Sequence, residues 1–417
     1  MDSATGQPFV PLGANYYRVG PLQEGKVGHA TFCPGSYDRS FVEKMMADLA
    51  GWGFNTIRTF HVYHVGETGI LVSPQAREIS PAYLDNVVHF LQTARTHRLR
   101  VIFSWDIWLP PSDWWSARPL PGEADCDLRA DWDQTMGVNN FRLHRGSVRT
   151  RANGIVTLIE ALRARDPDLL AVVLAWELEN EACLSQRQAP FAERAASFTF
   201  AGRDYALASD TEAQTLMDRI FVQWANCCAD AIHQADPKAL VSCSVFTFAA
   251  VGRQGPGTLS QDQTTDERIP ARLQALLGSR LDFADVHLYA WRTAEQGVAD
   301  FLRRNLESAE WQAVRQQATQ LGKPILCGEC GVFANYLRSA PDWQRIDHAL
   351  GLGCLREHVA GLRREGLAGA LYWAYGNPDS TVQDENPSLV LFPEYGTTLL
   401  ETWRTSPAPG EPAQEEQ

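Results

Sequence analysis

The chain has 417 residues, 45% of them hydrophobic, and a formal net charge of −13. That length suits one α/β barrel with long loops, and the acidic balance argues against nucleic acid or an anionic membrane as partner. No run of 18 apolar residues exists, so the sequence predicts no membrane-spanning helix.

Residues 7–17 read as a first strand, followed by a Gly/Pro-rich loop to about Ser36. A helix follows over 39–52, with Phe41, Met45 and Leu49 on one face and Gly53 at the terminating position. Residues 55–60 form strand two. Helix two covers 81–97, opened by Pro81 and striped by Leu84, Val88 and Leu91. Strand three is 100–105. An insertion over 106–139 carries Trp108, Trp114, Trp115 and Trp132, and a loop that long in a compact domain is usually functional.

Helix three spans roughly 148–165 and leads into AVVLAWELENEA, residues 171–182. Its apolar run, 171–176, reads as a strand buried on both faces, and the run ends in Glu177, Glu179, Asn180 and Glu181. A further insertion (184–210) precedes helix four (212–235), strand five (239–245) and strand six (282–287). Helix six (309–321) leads to strand seven, within KPILCGECGV at 323–332, which delivers Glu329. Helix seven (344–365), strand eight (367–373) and a short helix (397–403) complete the pattern. Eight strand–helix alternations predict a (β/α)8 barrel rather than a doubly wound sheet. One domain is expected over 1–405. The Pro/Glu/Gln-rich tail, 406–417, is expected to be disordered.

Nine scattered cysteines, several in predicted strands or helices, point to reduced, buried thiols. Cys327 and Cys330 would face opposite sides of a strand, and no second such pair follows, so no metal site is expected. Residues 1–11 lack the basic region and apolar run of a signal peptide. The expected location is cytoplasmic, or secreted if an export signal has been trimmed away.

Active sites of such barrels sit at the C-terminal ends of the strands. Strand two offers Arg58 and His61 there, strand three Trp105 and Asp106, strand four Asn180 and Glu181. Strand six offers His287 and Tyr289, strand seven Glu329 and strand eight Trp373. Each alone is weak, since a lone Arg or His at a strand end is more often a structural donor. Together they place two carboxylates, a cation, an imidazole, a phenol and an indole on one rim. Paired carboxylates of this kind hydrolyse glycosidic bonds.

The strings WELENEA, DFADVHLY, KPILCGE and ALYW, in that order, resemble the retaining β-glycosidases of glycoside hydrolase clan A, and family 5 best within it. GANYY and WGFNTIRTF resemble its endo-β-mannanase-like branch, and the resemblance spans about residues 13–373. It implies hydrolysis of β-mannosidic or β-glucosidic bonds by a two-glutamate double displacement, without cofactor, metal or obligate protein partner. In that reading Glu181 is the general acid/base and Glu329 the nucleophile. Asn180 binds the sugar 2-hydroxyl, Arg58 braces the nucleophile, and His287 and Tyr289 flank the pair. Trp373 is the sugar platform. Trp105, at the end of strand three where family 5 cellulases usually carry His, is a further substrate contact.

The residues add their own expectations. Two carboxyl groups about 5–5.5 Å apart cannot both ionise easily, so one keeps its proton. Arg58 beside Glu329 would push that proton onto Glu181. Glu177 and Glu179 share the parity of Glu181 but lie deeper, and Glu177 is expected in a buried ion pair with an arginine. The insertion tryptophans are read as either rim packing or sugar stacking. Two alternatives keep the barrel: an exo-acting β-glycosidase or transglycosylase on a small intracellular glycoside, and a non-catalytic carbohydrate-binding barrel. A metal-dependent hydrolase is disfavoured, because only His61 and His64 lie near one another.

Overall fold

The computed structural model describes residues 9–21, 27–62, 64–130, 137–193, 196–253, 255–256, 267–289, 297–331, 337–338, 343–344, 348–376, 391 and 393–410. Eight short apolar segments become strands: β1 (Leu12–Tyr16), β2 (Thr56–His61), β3 (Arg100–Trp105), β4 (Val173–Glu177), β5 in two pieces (Val241–Ser242 and Ser244–Phe246), β6 (Ala284–Tyr289), β7 (Ile325–Gly331) and β8 (Ala370–Tyr375). All pair in parallel. Running outward from the first piece of β5, the order is β4, β3, β2, β1, β8, β7, β6 and then the second piece of β5. The sheet therefore closes on itself through the divided strand. This is the expected (β/α)8 barrel.

Parallel strands covered on both faces need apolar side chains on both. Ile102, Ala175, Phe283, Leu326 and Leu371 form a separate cluster, whereas Ile57, Phe103, Trp176, Val245 and Val286 pack in the large core that includes the helices. The helices are α1 (Arg39–Trp52), α2 (Pro81–Thr96), α3 (Asp113–Ala117), α4 (Gly137–Leu143), α5 (Arg145–Arg165), α6 (Asp210–Ala235), α7 (Leu273–Leu277), α8 (Val298–Leu306), α9 (Ala309–Leu321), α10 (His348–Arg364) and α11 (Pro393–Thr405). Their ends follow local chemistry. The Asp38 carboxylate caps α1 by accepting from Phe41 N at 3.0 Å, and Gly53 ends it at φ 98°. Ser209 and Ser308 cap α6 and α9 in the same way.

Several expectations change. The 106–139 insertion is not structureless: it holds α3, a 3-10 turn at Glu123–Asp125 and the start of α4. Its segment 131–136, with Trp132, lies outside the described residues. Helix α8 had no counterpart in the predicted pattern. The 184–210 insertion carries a hairpin, Ser197–Phe200 with Arg203–Ala206. Residues 411–417 of the expected disordered tail lie outside the described residues. The cysteines are not all reduced: Cys126 and Cys227 form a disulfide, and seven remain free. The pair is brought together where Asp127 N donates to Gln223 Oε1 at 2.8 Å, seating the α3–α4 loop on α6.

Candidate active site

The organising group is the Arg58 guanidinium, fully buried on β2. Nη1 donates to Glu329 Oε1 at 2.6 Å and to Asn15 Oδ1 at 2.9 Å. Nη2 donates to Glu177 Oε1 at 2.5 Å and Asn180 Oδ1 at 2.7 Å, and lies 3.2 Å from Ser104 Oγ. Burial works against this charge, but Glu177 and Glu329 outweigh it and hold the guanidinium protonated. Glu177 is thus in the expected buried ion pair. Burial pushes its carboxyl up, but Arg58 wins and holds it below the ordinary value.

β6 presents Asp285, His287 and Tyr289 at alternate positions, as one face of a strand must. Tyr289 Oη donates to Glu329 Oε2 at 2.5 Å. His287 Nδ1 stands 3.0 Å from Glu181 Oε1 and 3.4 Å from Glu329 Oε2. One atom each of Glu181, His287 and Glu329 lie within 4.8 Å of one another. That upper limit brings the two carboxylates close to the spacing of about 5–5.5 Å that a retaining pair uses. Such a trio also has the donor types of a metal site, but both Glu329 oxygens are already engaged by Arg58 and Tyr289.

Electrostatics divides the pair. Burial pushes the Glu181 carboxyl up to about 7, with Arg268 and Arg58 pulling it down. Burial also raises Glu329, opposed by His287, Arg58 and the Tyr289 hydroxyl. Burial lowers His287 to about 4, so its ring is neutral near pH 7. Glu181 keeps 29% of its side chain open, against 3% for Glu329. The acid bonded by the Arg58 cation and the Tyr289 hydroxyl in the floor is the better anion, and the acid facing the opening is the better proton carrier.

Local backbone sets these positions. Glu181 has φ 52°, a left-handed conformation uncommon for a non-glycine residue. Ser244 holds it there: its Oγ accepts from Glu181 N at 2.9 Å, and its carbonyl accepts from Ala182 N at 2.8 Å. On β7 the pairing with β6 shifts register beside Glu329. Gly328 N donates to Asp285 Oδ1 at 2.6 Å, and a Cβ at Gly328 would run into that carboxyl.

With this geometry in place, comparison with known proteins is informative. No family model matches the chain. A probable mannan endo-1,4-beta-mannosidase F of Neosartorya fischeri is 24% identical over 281 residues, 64% of this chain and 48% of that protein. The match thus spans about half the length of that relative. Mannan endo-1,4-beta-mannosidase 8 of Oryza sativa subsp. japonica is 22% identical over 410 residues, 95% of this chain and 94% of the relative. Among solved structures, the endo-beta-1,4-mannanase from Thermotoga petrophila superposes with TM-score 0.59 at 15% identity, covering 98% of this chain and 79% of that one. The glycoside hydrolase family 5 mannosidase from Rhizomucor miehei gives 0.53 at 15% identity, covering 96% and 95%.

The chain shares the barrel fold of these glycoside hydrolases. The resemblance read from the sequence is borne out at the level of the fold. On this barrel Arg58, Asn180, Glu181, His287, Tyr289 and Glu329 form one connected group. Trp373 stands next to it, half-buried, with Tyr17 stacked at 4.9 Å and Phe60 edge-on at 5.6 Å.

Trp105 does not join them. It is 1% exposed, set edge-on to Trp115 at 6.5 Å and close over Gly154 of α5. On β3 the inward positions are Ile102 and Ser104, so the next residue points outward. Trp105 is corrected from a substrate contact to a packing residue. Trp115 is likewise fully buried, whereas Trp114 lies under Arg77 and Trp108 is 47% exposed. Glu179 also departs from the expected parity. It turns outward between Arg142 and Arg151, both buried, on α4 and α5. Asn15, Ser104, Ser244 and Asp285 were missed as site residues. Their signal was faint: small polar residues inside otherwise apolar strands.

Proposed function

We propose that the chain hydrolyses β-glycosidic bonds with retention, β-mannosides first, with Glu329 as nucleophile and Glu181 as acid/base. The observation that carries this reading is the closeness of the two carboxyl groups, one held by Arg58 and Tyr289 and the other open to the cleft with a raised pKa. The mannoside preference rests on the relatives, whose names specify mannan and β-mannosidic substrates.

Glu329 attacks the anomeric carbon as that carbon's bond to the glycosidic oxygen breaks. Glu181 gives its proton to the departing oxygen. Water then attacks the glycosyl–Glu329 ester, Glu181 takes a proton from it, and the ester bond returns its electrons to Glu329. Arg58 and Tyr289 stabilise the carboxylate before attack and after release. Neutral His287 donates from Nδ1 into the space between the acids without adding a second cation. Asn180, its carbonyl engaged by Arg58, presents its amide N–H groups to the sugar. Trp373 offers the apolar surface on which the ring rests. Carbohydrate is the partner this chemistry requires, with no cofactor.

The test uses Glu181→Ala and Glu329→Ala on a dinitrophenyl β-mannoside and on an unactivated β-mannoside, with and without azide. Glu329→Ala is expected to lose nearly all turnover on both, with azide giving an inverted product. Glu181→Ala is expected to lose about 10²–10⁴-fold on the unactivated substrate. On the activated one its first step survives, and azide yields a retained product. The reverse pattern, retention with Glu329→Ala and inversion with Glu181→Ala, would exchange the roles, and wild-type rates in either would remove that residue from the mechanism.

A further inference from the structure

Asp285 lies on the same face of β6 as His287 and Tyr289, one step deeper in the barrel, and the mechanism above does not use it. It is fully buried. Where β7 pairs with β6, Val286 faces Cys327 and His287 faces Glu329, so Gly328 is an extra residue in the ladder. Such a bulge re-aims the side chain beside it, here that of Glu329. Asp285 holds the bulge: its Oδ1 accepts from Gly328 N at 2.6 Å. The Gly328 carbonyl accepts from Asn15 Nδ2 at 2.8 Å. Asn15 in turn accepts from the Arg58 nitrogen that binds Glu329. The second Asp285 oxygen, Oδ2, is enclosed and meets no hydrogen-bond donor among the described residues. A carboxylate oxygen buried without a donor is costly, whereas a carboxylic acid in the same place carries its own.

Charge balance says which acid holds the proton. Around the Arg58 cation the floor buries three carboxyl groups, those of Glu177, Asp285 and Glu329. One guanidinium does not offset three anions away from water. Glu329 has Arg58 and Tyr289 as donors. Glu177 has more: Oε1 accepts from Arg58 Nη2 at 2.5 Å, Ser104 Oγ at 2.5 Å and Ser244 Oγ at 3.1 Å, and Oε2 from Arg58 Nε at 3.3 Å. Asp285 has the single backbone N–H. Its side chain also meets Glu177 at hydrogen-bond range, and two carboxyl groups bond only with a proton between them. We propose that Asp285 is a neutral acid that donates from Oδ2 to Glu177, accepts at Oδ1 from Gly328, and acts as a positioning residue for the nucleophile Glu329. The inference rests on the glycosidase reading and adds to it. The neutral acid closes a ring through Gly328, Asn15, Arg58 and Glu177 beside the Glu329 carboxylate, and brings no charge to repel it. Burial pushes the Asp285 carboxyl well above its ordinary value, the Glu177 anion adds to the push, and Arg58 opposes it. The Cys327 thiol of β7, which also bears on Asp285, is itself held protonated by burial.

The experiment compares wild type, Asp285→Asn and Asp285→Ala. Asparagine keeps the shape, stays neutral, and puts an amide donor and a carbonyl acceptor where the acid has its own. An infrared difference spectrum, wild type minus Asp285→Asn, is recorded at about pH 7, far above the ordinary aspartate range. It should contain the carbonyl band of one protonated carboxylic acid, shifted in D2O. On a dinitrophenyl β-mannoside, Asp285→Ala should lose about tenfold to a hundredfold in kcat with little change in KM, the range for a buried hydrogen-bond partner removed. Asp285→Asn should restore most of that loss, with the acidic limb of kcat/KM where the wild type has it. Carboxylate bands in place of the acid band mark an ionised Asp285 and overturn the proposal, as does an acidic limb moved to lower pH in Asp285→Asn. Equal losses in the two variants, or wild-type rates in Asp285→Ala, overturn the positioning role. Should Asp285→Ala fail to fold, the infrared band and the limb of Asp285→Asn decide. If the wild type turns over no β-glycoside, the glycosidase reading fails and the positioning role falls with it, while the infrared band still decides where the proton sits.

Discussion

Glu181 and Glu329 differ by their neighbours, and the difference has a pH signature. Turnover needs Glu329 ionised and Glu181 protonated. Activity should therefore rise as pH climbs through the Glu329 pKa, which burial sets above the ordinary carboxylate value of 4.5. It should fall as pH passes about 7, where Glu181 loses its proton. The kcat/KM profile is expected to be a bell with its alkaline limb near 7. Arg268 Nη1 lies 3.9 Å from Glu181 Oε2, and its cation is the largest influence holding that pKa down. Arg268→Gln should move the alkaline limb upward and leave the acidic limb in place. A downward shift, or none, would contradict the assignment of Glu181 to that limb. His287 is not expected to contribute a limb in this range, since burial keeps it neutral down to about 4.

At the scale of elements, strand parity separates what could be read from what could not. β2 and β3 keep strict alternation, so Arg58 faces inward, and counting from Ser104 places Trp105 outward. That error came from weighing chemistry at a strand end without counting the pleat. The helix signals at Asp38, Gly53, Pro81 and Gly322 are local, which is why α1, α2 and α9 were legible nearly to the residue. The chain beyond β4 was not legible. It leaves the alternation after Glu177, and only the tertiary contacts of Ser244 and Trp105 decide which acid turns which way. Glu179 consequently meets Arg142 and Arg151 in the helix layer. Glu179→Gln would leave two buried guanidinium groups without their anion, at a cost of about 3–5 kcal/mol. Urea unfolding of the variant should show that loss in its midpoint with little change in slope. A loss below about 1 kcal/mol would mean that the arginines find other partners.

Over the whole molecule, the eightfold alternation carried the architecture, and the two strand-end glutamates carried the site. The relatives at 22–24% identity agree with that order of legibility. What stayed hidden was non-local: the division of β5, the Cys126–Cys227 link and the polar floor beneath Glu329. Arg58 draws its partners from β1, β3, β4, β5 and β7, at separations of 43, 46, 119, 186 and 271 residues. Loop closure makes the longest of these late events when the chain folds. Until β7 docks, the guanidinium has Glu177 but no nucleophile to brace, and the pair does not exist. Catalysis thus reports completion of the barrel rather than its beginning. After dilution from denaturant, far-UV circular dichroism should recover ahead of activity, and the lag should persist at low protein concentration, where association is slow. Simultaneous recovery of the two signals would mean that β7 closes the ring in the same step that forms the helices.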